Sequence, residues 1–372
     1  GVSSCFPFHA RHRDGACRFH DRGQTQKGLR KGRRRRVAVG LIAALCPWLV
    51  AAEPSVRFAT FHTELSHKGP GLLYRDILRK TEDVRAAQAR IDAVDPDVLV
   101  LQGFDWDHDA AVLSAFNAGL TKLYAHLFSE RPNTGLQTDR DLDGDGWRNG
   151  PGDGHGYGAY LGWSGMALLS RYPIRREEVL DLSDMLWQDH APNMPKAIDI
   201  HDLRLASVGI WQVPLAREGS RVDLVTLHAM PPGFDGPEDR NGWRNAHELE
   251  LVARRVDISH NLIVVAGVFN VDPLRGEGRK SGLQSLLKHP KLKDPRPRHD
   301  GRDETVTFSG LGSLRVDYVL PDQRLGVLGS GIAFGSSDFS ADARSRHGLV
   351  WVDLLFEDVG QSLPQRRVSE AR

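Results

Sequence analysis

The body of this chain lacks cysteine altogether. All three cysteines, Cys5, Cys17 and Cys46, fall within the first 52 of 372 residues. Residues 53–372 therefore contain no thiol, which excludes both a disulfide scaffold and cysteine-based catalysis from this part of the chain.

Long apolar runs are also missing after residue 52. No stretch there reaches the roughly 18 unbroken apolar residues that a transmembrane helix needs, so we expect no membrane span in the mature chain.

The N-terminal segment has the composition of an export signal. Lys31 and Arg33–Arg36 precede the short apolar run Val37–Val50, which ends in Ala51 and Ala52. Basic, apolar and small residues in this order are typical of a secretory signal peptide. We therefore predict cleavage near Ala52 and a periplasmic or extracellular protein, with a membrane anchor as the alternative. Residues 1–52 would be an N-terminal extension and signal peptide, and residues 53–372 a single domain.

The charge of the chain is divided unevenly. Residues 1–52 hold 11 of the 49 Lys/Arg and 2 of the 48 Asp/Glu, so residues 53–372 carry 38 basic and 46 acidic residues, a net charge of −8. An acidic body has no surplus of positive charge to neutralise phosphates. Nucleic acid is therefore a less favoured partner than a small phosphoester or another anionic ligand. Separately, we expect the protein to be a monomer.

Apolar strands and amphipathic helices alternate along residues 53–372, which predicts a layered α/β domain. We predict strands at Ser55–Phe61, Asp97–Leu101, Gly165–Leu169, Leu203–Val208, Val222–His228, Leu314–Leu320 and Leu349–Phe356, with a further strand at the start of Leu262–Pro273. Helices are predicted at Asp76–Val94, Ala110–Leu123, Trp243–Val256 and near Ser281–Leu287, and residues 129–163 are predicted to be a loop.

That loop contains an acidic motif. Asp141, Asp143 and Asp145 have the spacing of the first half of a calcium-binding loop, and Gly146 follows them. Gly152 occupies the twelfth position, where such loops have a bidentate acid. The motif predicts either a calcium site or a solvated acidic loop.

Polar residues stand at the ends of several predicted strands. His228, Asn270, Asp317 and His347 each lie at the edge of an apolar run. Singly, each is compatible with an ordinary turn or a structural histidine. An aspartate within an apolar strand such as LRVDYVL needs a hydrogen-bond partner, and histidine is a natural one. Together, each at the edge of its own apolar strand, the four residues favour a shared functional site over an accidental arrangement.

Six segments with these strand ends resemble a known family. They are RFATFHTEL, PDVLVLQGFD, LVTLHAMPPGFDGPEDRNGWRN, VVAGVFNVDP, LRVDYVLP and SRHGLVWVDL. In order and approximate spacing they resemble the endonuclease/exonuclease/phosphatase, or deoxyribonuclease-I-like, superfamily, and most of all its secreted bacterial members. The resemblance implies a four-layer α/β sandwich, in which two mainly antiparallel sheets pack face to face with helices outside.

The resemblance also implies phosphoester hydrolysis with Mg²⁺ or Mn²⁺. By motif, His228 matches a phosphate-facing histidine and Asn270 the asparagine of an Asp-x-Asn strand end. Asp317 and His347 match an acid and a histidine that pair with each other. These four residues are the expected catalytic residues.

Other positions depart from the family pattern. His62 stands where the family has Asn, Gly103 where it has the metal-binding Glu, and Val268 where it has the Asp of Asp-x-Asn. Arg346 replaces an Asp, and Ile210 stands where a further histidine is usual. Neither Gly103 nor Val268 offers a side-chain oxygen to a hard dication.

The sequence offers possible replacements for the missing groups. Asp105, two residues beyond Gly103 on a strand, could reach toward the same place. His62 is a softer ligand suited to Zn²⁺ or Mn²⁺. Arg346 predicts an anion-binding corner, or alternatively a surface ion pair with Asp338 or Asp342.

Three hypotheses follow. The first is an exported phosphoester or phosphodiester hydrolase with altered metal and base positions. The second is a catalytically silent relative that binds a phosphorylated or anionic ligand. The third is a secreted domain whose loops serve a protein partner.

Overall fold

The computed structural model describes residues 55–217 and 220–356. The predicted signal peptide and its cleavage site near Ala52 lie outside these residues. Within them, thirteen strands and five α-helices follow one another. The strands are β1 (Val56–Leu65), β2 (Val98–Phe104), β3 (His126–Phe128), β4 (Gly165–Ser170), β5 (Leu180–Asp181), β6 (Ile210–Arg217), β7 (Ser220–His228), β8 (Leu262–Val268), β9 (Val306–Phe308), β10 (Gly312–Leu314), β11 (Asp317–Pro321), β12 (Gly326–Ala333) and β13 (Leu349–Leu355). The helices are α1 (Leu72–Arg79), α2 (Glu82–Val94), α3 (Ala111–Ala118), α4 (Arg240–Ile258) and α5 (Ser281–Leu287).

Most strands belong to two mixed sheets. The first has the order β12-β13-β1-β2-β4-β3 and the second the order β11-β8-β7-β6-β5. Each sheet contains one parallel pair, β1–β2 in the first and β7–β8 in the second, and its other neighbours are antiparallel. The predicted mainly antiparallel sheets are confirmed.

Three apolar cores separate four layers. The core between the sheets contains Val100 and Leu168 from the first sheet and Val264 from the second. A second core packs the outer face of the first sheet against α1, α2 and α3, and a third packs the outer face of the second sheet against α4 and α5. Both faces of the central strands are therefore buried, and this explains why β8 reads as an unbroken apolar run.

The predicted helix Asp76–Val94 is wrong as a single element. Lys80 adopts a left-handed conformation (φ 52°) that ends α1, and Thr81 stands at the N-cap position of α2. The acidic Glu82 and Asp83 in the first turn of α2 suit a helix start, because the helix dipole favours negative charge there. The predicted helix Ala110–Leu123 is also too long, since α3 ends at Ala118.

The predicted strand Leu203–Val208 is wrong, and the neighbouring β6 was missed. An isolated bridge between Arg204 and Leu186, together with side chains of α4, satisfies the backbone of this stretch, so no continuous strand forms. Arg244 donates to the carbonyl of Leu205 at 2.9 Å, and Glu248 accepts from the amide of Ser207 at 2.6 Å. This buried segment can do without a strand ladder because its polar groups find these partners.

No helix among the described residues is long and apolar enough to cross a membrane.

The core between the sheets predicts a clear difference between two leucines. Leu168, in β4, is fully buried there, whereas Leu123 is 62% exposed. Leu168→Ala should lower the free energy of unfolding by about 2–5 kcal/mol, because it leaves a cavity. Leu123→Ala should change it by less than about 1 kcal/mol. Chemical denaturation of the two variants measures both values, and equal effects would contradict the described core.

Candidate functional site

The predicted catalytic residues gather at one edge of the sandwich. In the second sheet, Val268 at the end of β8 is flanked by His228 of β7 and Asp317 of β11. From the first sheet, His62 of β1 and His347, just before β13, reach the same edge. The ring of His62 lies 5.0 Å from that of His228 and 4.5 Å from that of His347, centroid to centroid. We call His62, His228 and His347 the histidine cluster.

Asp317 and His347 form the predicted pair. Nδ1 of His347 lies 3.1 and 3.0 Å from the two carboxylate oxygens of Asp317, and both residues are buried. A carboxylate that accepts the Nδ1 proton leaves the lone pair on Nε2, where it can bind a proton or a cation. Thr305 supports the pair, because its hydroxyl donates to Asp317 at 2.6 Å and accepts from the backbone amide of Asp317.

His62 and His228 have no comparable partner. Nδ1 of each ring is buried without a hydrogen bond among the described residues. Burial lowers the pKa of His228 to about 3, with a smaller contribution from His347. Burial also holds the pKa of His62 well below its ordinary value, and repulsion from His347 and His228 adds to this effect. Both rings are therefore neutral at neutral pH.

Asn270 follows β8 in a left-handed conformation (φ 56°). The side-chain nitrogen Nδ2 of Asn270 donates to the carbonyl of Ala229 at 2.7 Å. This bond ties the end of β8 to the end of β7 and places Asn270 beside the strand that carries His228.

Arg346 pairs with Glu64, not with Asp338 or Asp342. Its Nε donates to the Glu64 carboxylate at 2.8 Å, its backbone amide donates at 2.6 Å, and Nη2 makes a further contact. Its guanidinium also lies 5.1 Å from the ring of Phe308. Burial raises the pKa of Glu64, but the hydrogen bonds from Arg346 outweigh burial and leave that pKa below its ordinary value. The positive charge of Arg346 is thus already matched by a carboxylate.

Gly103 and His62 occupy adjoining space. The pairing of β2 with both neighbours is irregular around Gly103, whose φ is +61°. A Cβ placed there would lie 2.6 Å from Cε1 of His62, closer than real Cβ contacts. The two departures from the family pattern are therefore sterically coupled, because the imidazole fills the space into which a side chain at position 103 would extend.

The predicted metal ligand Asp105 has its carboxylate occupied by three hydrogen-bond donors from other segments of the chain. It is 4% exposed and accepts from the Tyr160 hydroxyl at 2.7 Å, the Ser164 amide at 2.9 Å and the His67 amide at 3.0 Å. Burial raises its pKa, and these hydrogen bonds only partly offset that effect.

The acidic loop brings Asp141, Asp143 and Asp145 together. One oxygen from each lies within 4.8 Å of the others, and all three residues are exposed. Backbone amides within the loop donate to all three carboxylates. Asp153, next to the twelfth position, accepts from the amides of Leu142 and Gly150, so it closes the loop. Calcium binding by this loop stays a prediction.

The residues present do not fit the magnesium site that the resemblance implies. Gly103 and Val268 supply no side-chain oxygen, and His62 lies against Gly103. One other ligand group does exist at this edge. Ring nitrogens of His62 and His347 and a carboxylate oxygen of Glu64 lie within 4.8 Å of one another. Magnesium prefers six oxygen ligands in octahedral geometry, and this group offers one carboxylate.

Two residues of the site were missed from the sequence. Glu64 stands two residues after His62, but β1 is irregular between His62 and Leu65 and Glu64 has φ 56°, so regular strand alternation would not have placed it. Thr305 belongs to a loop, and no local pattern connects it to Asp317.

Comparisons with known proteins show the family and the fold. The model of the "Endonuclease/Exonuclease/phosphatase family" matches residues 69–338. A family protein from Leptotrichia buccalis is similar in structure, with a TM-score of 0.51 and 17% identity over 81% of this chain and 100% of its own. An endonuclease/exonuclease/phosphatase from Beutenbergia cavernae has a TM-score of 0.52 and 19% identity over 81% of this chain and 71% of its own. At these identities the two structures show the fold alone. A search of curated proteins finds no match.

The contact between Gly103 and His62 predicts a coupled pair of mutations. Gly103→Ala should destabilise the protein by about 2–4 kcal/mol, because it combines an unfavourable φ with overpacking. In a His62→Ala background the same change should cost about 1–2 kcal/mol less. Gly71→Ala is the matched control, since Gly71 has φ +76° and nothing within 4 Å of its would-be Cβ. It should cost about 1 kcal/mol. Denaturation of the four cycle members checks this, and additive effects would contradict the steric coupling.

Proposed function

Because the chain belongs to the endonuclease/exonuclease/phosphatase family, we propose that it is a phosphoester hydrolase whose reaction takes place beside the histidine cluster. The observation that carries this proposal is the buried Asp317–His347 pair, with Thr305 behind it and His228 on the neighbouring strand. A buried aspartate that orients a histidine is an arrangement suited to general acid–base or ligand chemistry.

The reaction would be attack of water on phosphorus. The new P–O bond forms from water, which gives up a proton, while the ester P–O bond breaks and the leaving alkoxide takes up a proton to become the alcohol. Asp317 holds His347 in the tautomer that presents Nε2 to the cluster. His228 and Asn270, by their match to the family pattern, would contact the phosphoryl oxygens.

Electrostatics set a condition on this chemistry. His62 and His228 are neutral at neutral pH, and Arg346 is paired with Glu64. A phosphoryl group placed here would meet no unmatched positive charge from these side chains, and phosphate binding depends strongly on such charge. Hydrolysis therefore requires a bound cation that suits the side chains present.

We propose small phosphoesters or phosphodiesters as the substrate class. Residues 53–372 carry a net charge of −8. Long-range repulsion by an acidic domain disfavours a polyanionic nucleic acid far more than a small ester.

A catalytically silent, ligand-binding relative is the second candidate. Val268 favours it, because this apolar and fully buried residue lies directly between His228 and Asp317 in the sheet. In this case the site would recognise an anionic ligand without cleaving it.

We also propose export, which rests on the sequence of residues 31–52. If it is correct, mass spectrometry of the protein recovered outside the cytoplasm of a bacterial host should show a mature chain beginning at or near Glu53. Cytoplasmic retention of a chain that keeps Arg33–Arg36 would contradict export.

Hydrolysis is tested with the EDTA-stripped full chain and a mononitrophenyl phosphate, a bis-nitrophenyl phosphate and DNA as substrates. Mg²⁺, Mn²⁺ and Zn²⁺ are supplied separately. We expect turnover of a small ester with at least one ion. Asp317→Asn should lower kcat/KM about 100-fold, because it releases the orientation of His347.

The matched control is Asp223→Asn. Asp223 is also a buried aspartate of the second sheet, but it binds Arg221 near the other end of β7. This variant, once shown to be folded by circular dichroism, should keep its turnover. Absence of turnover with every ion would leave the silent relative as the better account.

A further inference from the structure

We infer that His62, Glu64 and His347 form a binding site for a transition-metal dication of the zinc type. The site goes beyond the proposed hydrolysis, because metal binding can be measured without turnover. It differs from the magnesium site that the resemblance implies in both its ligand residues and its ligand chemistry.

The ligand atoms are already close together. One atom from each of the three residues lies within 4.8 Å of the other two. Tetrahedral zinc with bonds of about 2.0–2.1 Å places its ligand atoms about 3.3 Å apart. The rings of His62 and His347 are stacked with an interplanar angle of 24°, so closing the site requires a rotation of the His62 ring that aims its lone pair at the same point as that of His347.

Backbone contacts hold the two ligand-bearing segments beside each other. The hydroxyl of Ser345 donates to the carbonyl of His62 at 2.7 Å, and the amide of Arg346 donates to Glu64 at 2.6 Å. Arg90 of α2 donates to the carbonyl of His347. The segment that carries His347 is thus fixed along the end of β1, which is the preorganisation that a metal site needs.

Two of the three ligands, His347 and Glu64, also have the support expected of a metal ligand. Asp317 accepts from Nδ1 of His347, which leaves Nε2 to bind an ion, and carboxylate–histidine–metal triads have this arrangement. Arg346 keeps Glu64 ionised while hydrogen bonding to it. Ligating carboxylates are commonly held in this way.

An independent observation comes from the unpartnered ring nitrogens. Nδ1 of His62 and Nδ1 of His228 are buried without a hydrogen bond among the described residues, and His228 itself is only 7% exposed. Buried polar atoms of this kind are rare and costly, and an ion site is one explanation for them. His228 adjoins the proposed site, since its ring lies 5.0 Å from that of His62.

The donor set favours zinc over magnesium. Two imidazoles and one carboxylate match the ligands of catalytic zinc sites, which keep a fourth position open. Imidazole suits Zn²⁺, Co²⁺ and Ni²⁺, whereas Mg²⁺ prefers oxygen. Gly103 is consistent with imidazole ligands in place of oxygen ligands, because it leaves room for the ring of His62. The ion would also provide the positive charge that the proposed hydrolysis requires.

The test uses the metal-stripped full chain and titrates Zn²⁺ and Mg²⁺ by calorimetry. Co²⁺ serves as a spectroscopic probe, because its ligand-field absorption in the visible reports a four- or five-coordinate site. Cys5, Cys17 and Cys46 can bind zinc as well. The readout is therefore the difference between the parent and each variant, rather than the total zinc bound.

In the parent we expect one zinc site. His62→Gln should abolish this site or weaken its zinc affinity at least about 10-fold, and the corresponding Co²⁺ absorption should disappear. Glu64→Gln provides a second ligand variant if His62→Gln does not fold. His260→Gln, at an exposed histidine, and Asp143→Asn, in the acidic loop, should leave this site unchanged. Mg²⁺ in excess should not displace the zinc.

Three results would overturn the inference: unchanged zinc affinity in both ligand variants, displacement of zinc by equimolar Mg²⁺, or loss of the site in Asp143→Asn. Failure of the proposed function is distinguishable. Zinc binding at the three residues without hydrolysis supports the site and removes the hydrolase, whereas hydrolysis supported by Mg²⁺ or Mn²⁺ in a protein that binds no zinc at these residues removes the site and keeps the hydrolase.

Discussion

The hydrogen bond between Asp317 and His347 joins the two sheets at the edge where the candidate residues meet. Asp317 begins β11 of the second sheet, and His347 lies two residues before the start of β13 in the first. A carboxylate so deeply buried is tolerated because the imidazole of His347 and the Thr305 hydroxyl hydrogen bond to it. This pair fixes the tautomer of His347, and through it the direction in which the unprotonated nitrogen points.

Around that pair, the side chains offer a different set of ligand atoms from the set that the family resemblance implies. The positions where the family resemblance implies oxygen ligands hold Gly103 and Val268, while His62 lies against the glycine and stacks on His347. Glu64, held by Arg346, supplies a carboxylate from another position. The result is an imidazole-rich corner, which suits a softer ion than the magnesium of an oxygen-lined site. The imidazole of His62 fits only because residue 103 has no side chain, so these two departures from the family pattern depend on each other.

Much of this arrangement could be predicted from the sequence. The unbroken apolar run of β8 indicated a strand buried on both faces, and the polar residues after such runs indicated a common edge. The sequence also placed His228, Asn270, Asp317 and His347 at strand ends, where the structure has them. What could not be predicted depended on tertiary contacts. Arg244 and Glu248 satisfy the backbone around Leu205, so an extended apolar segment is not a strand. The partner of Arg346 lies 282 positions away in Glu64, and no local pattern links them.

The measurement that tests this account most directly is anomalous diffraction at the zinc absorption edge from crystals of the full chain grown with Zn²⁺. The account predicts a peak bonded to His62, Glu64 and His347 at about 2.0–2.2 Å from each ligand atom. A fully occupied peak elsewhere, such as among Asp141, Asp143 and Asp145, with none at the histidine cluster, would contradict it.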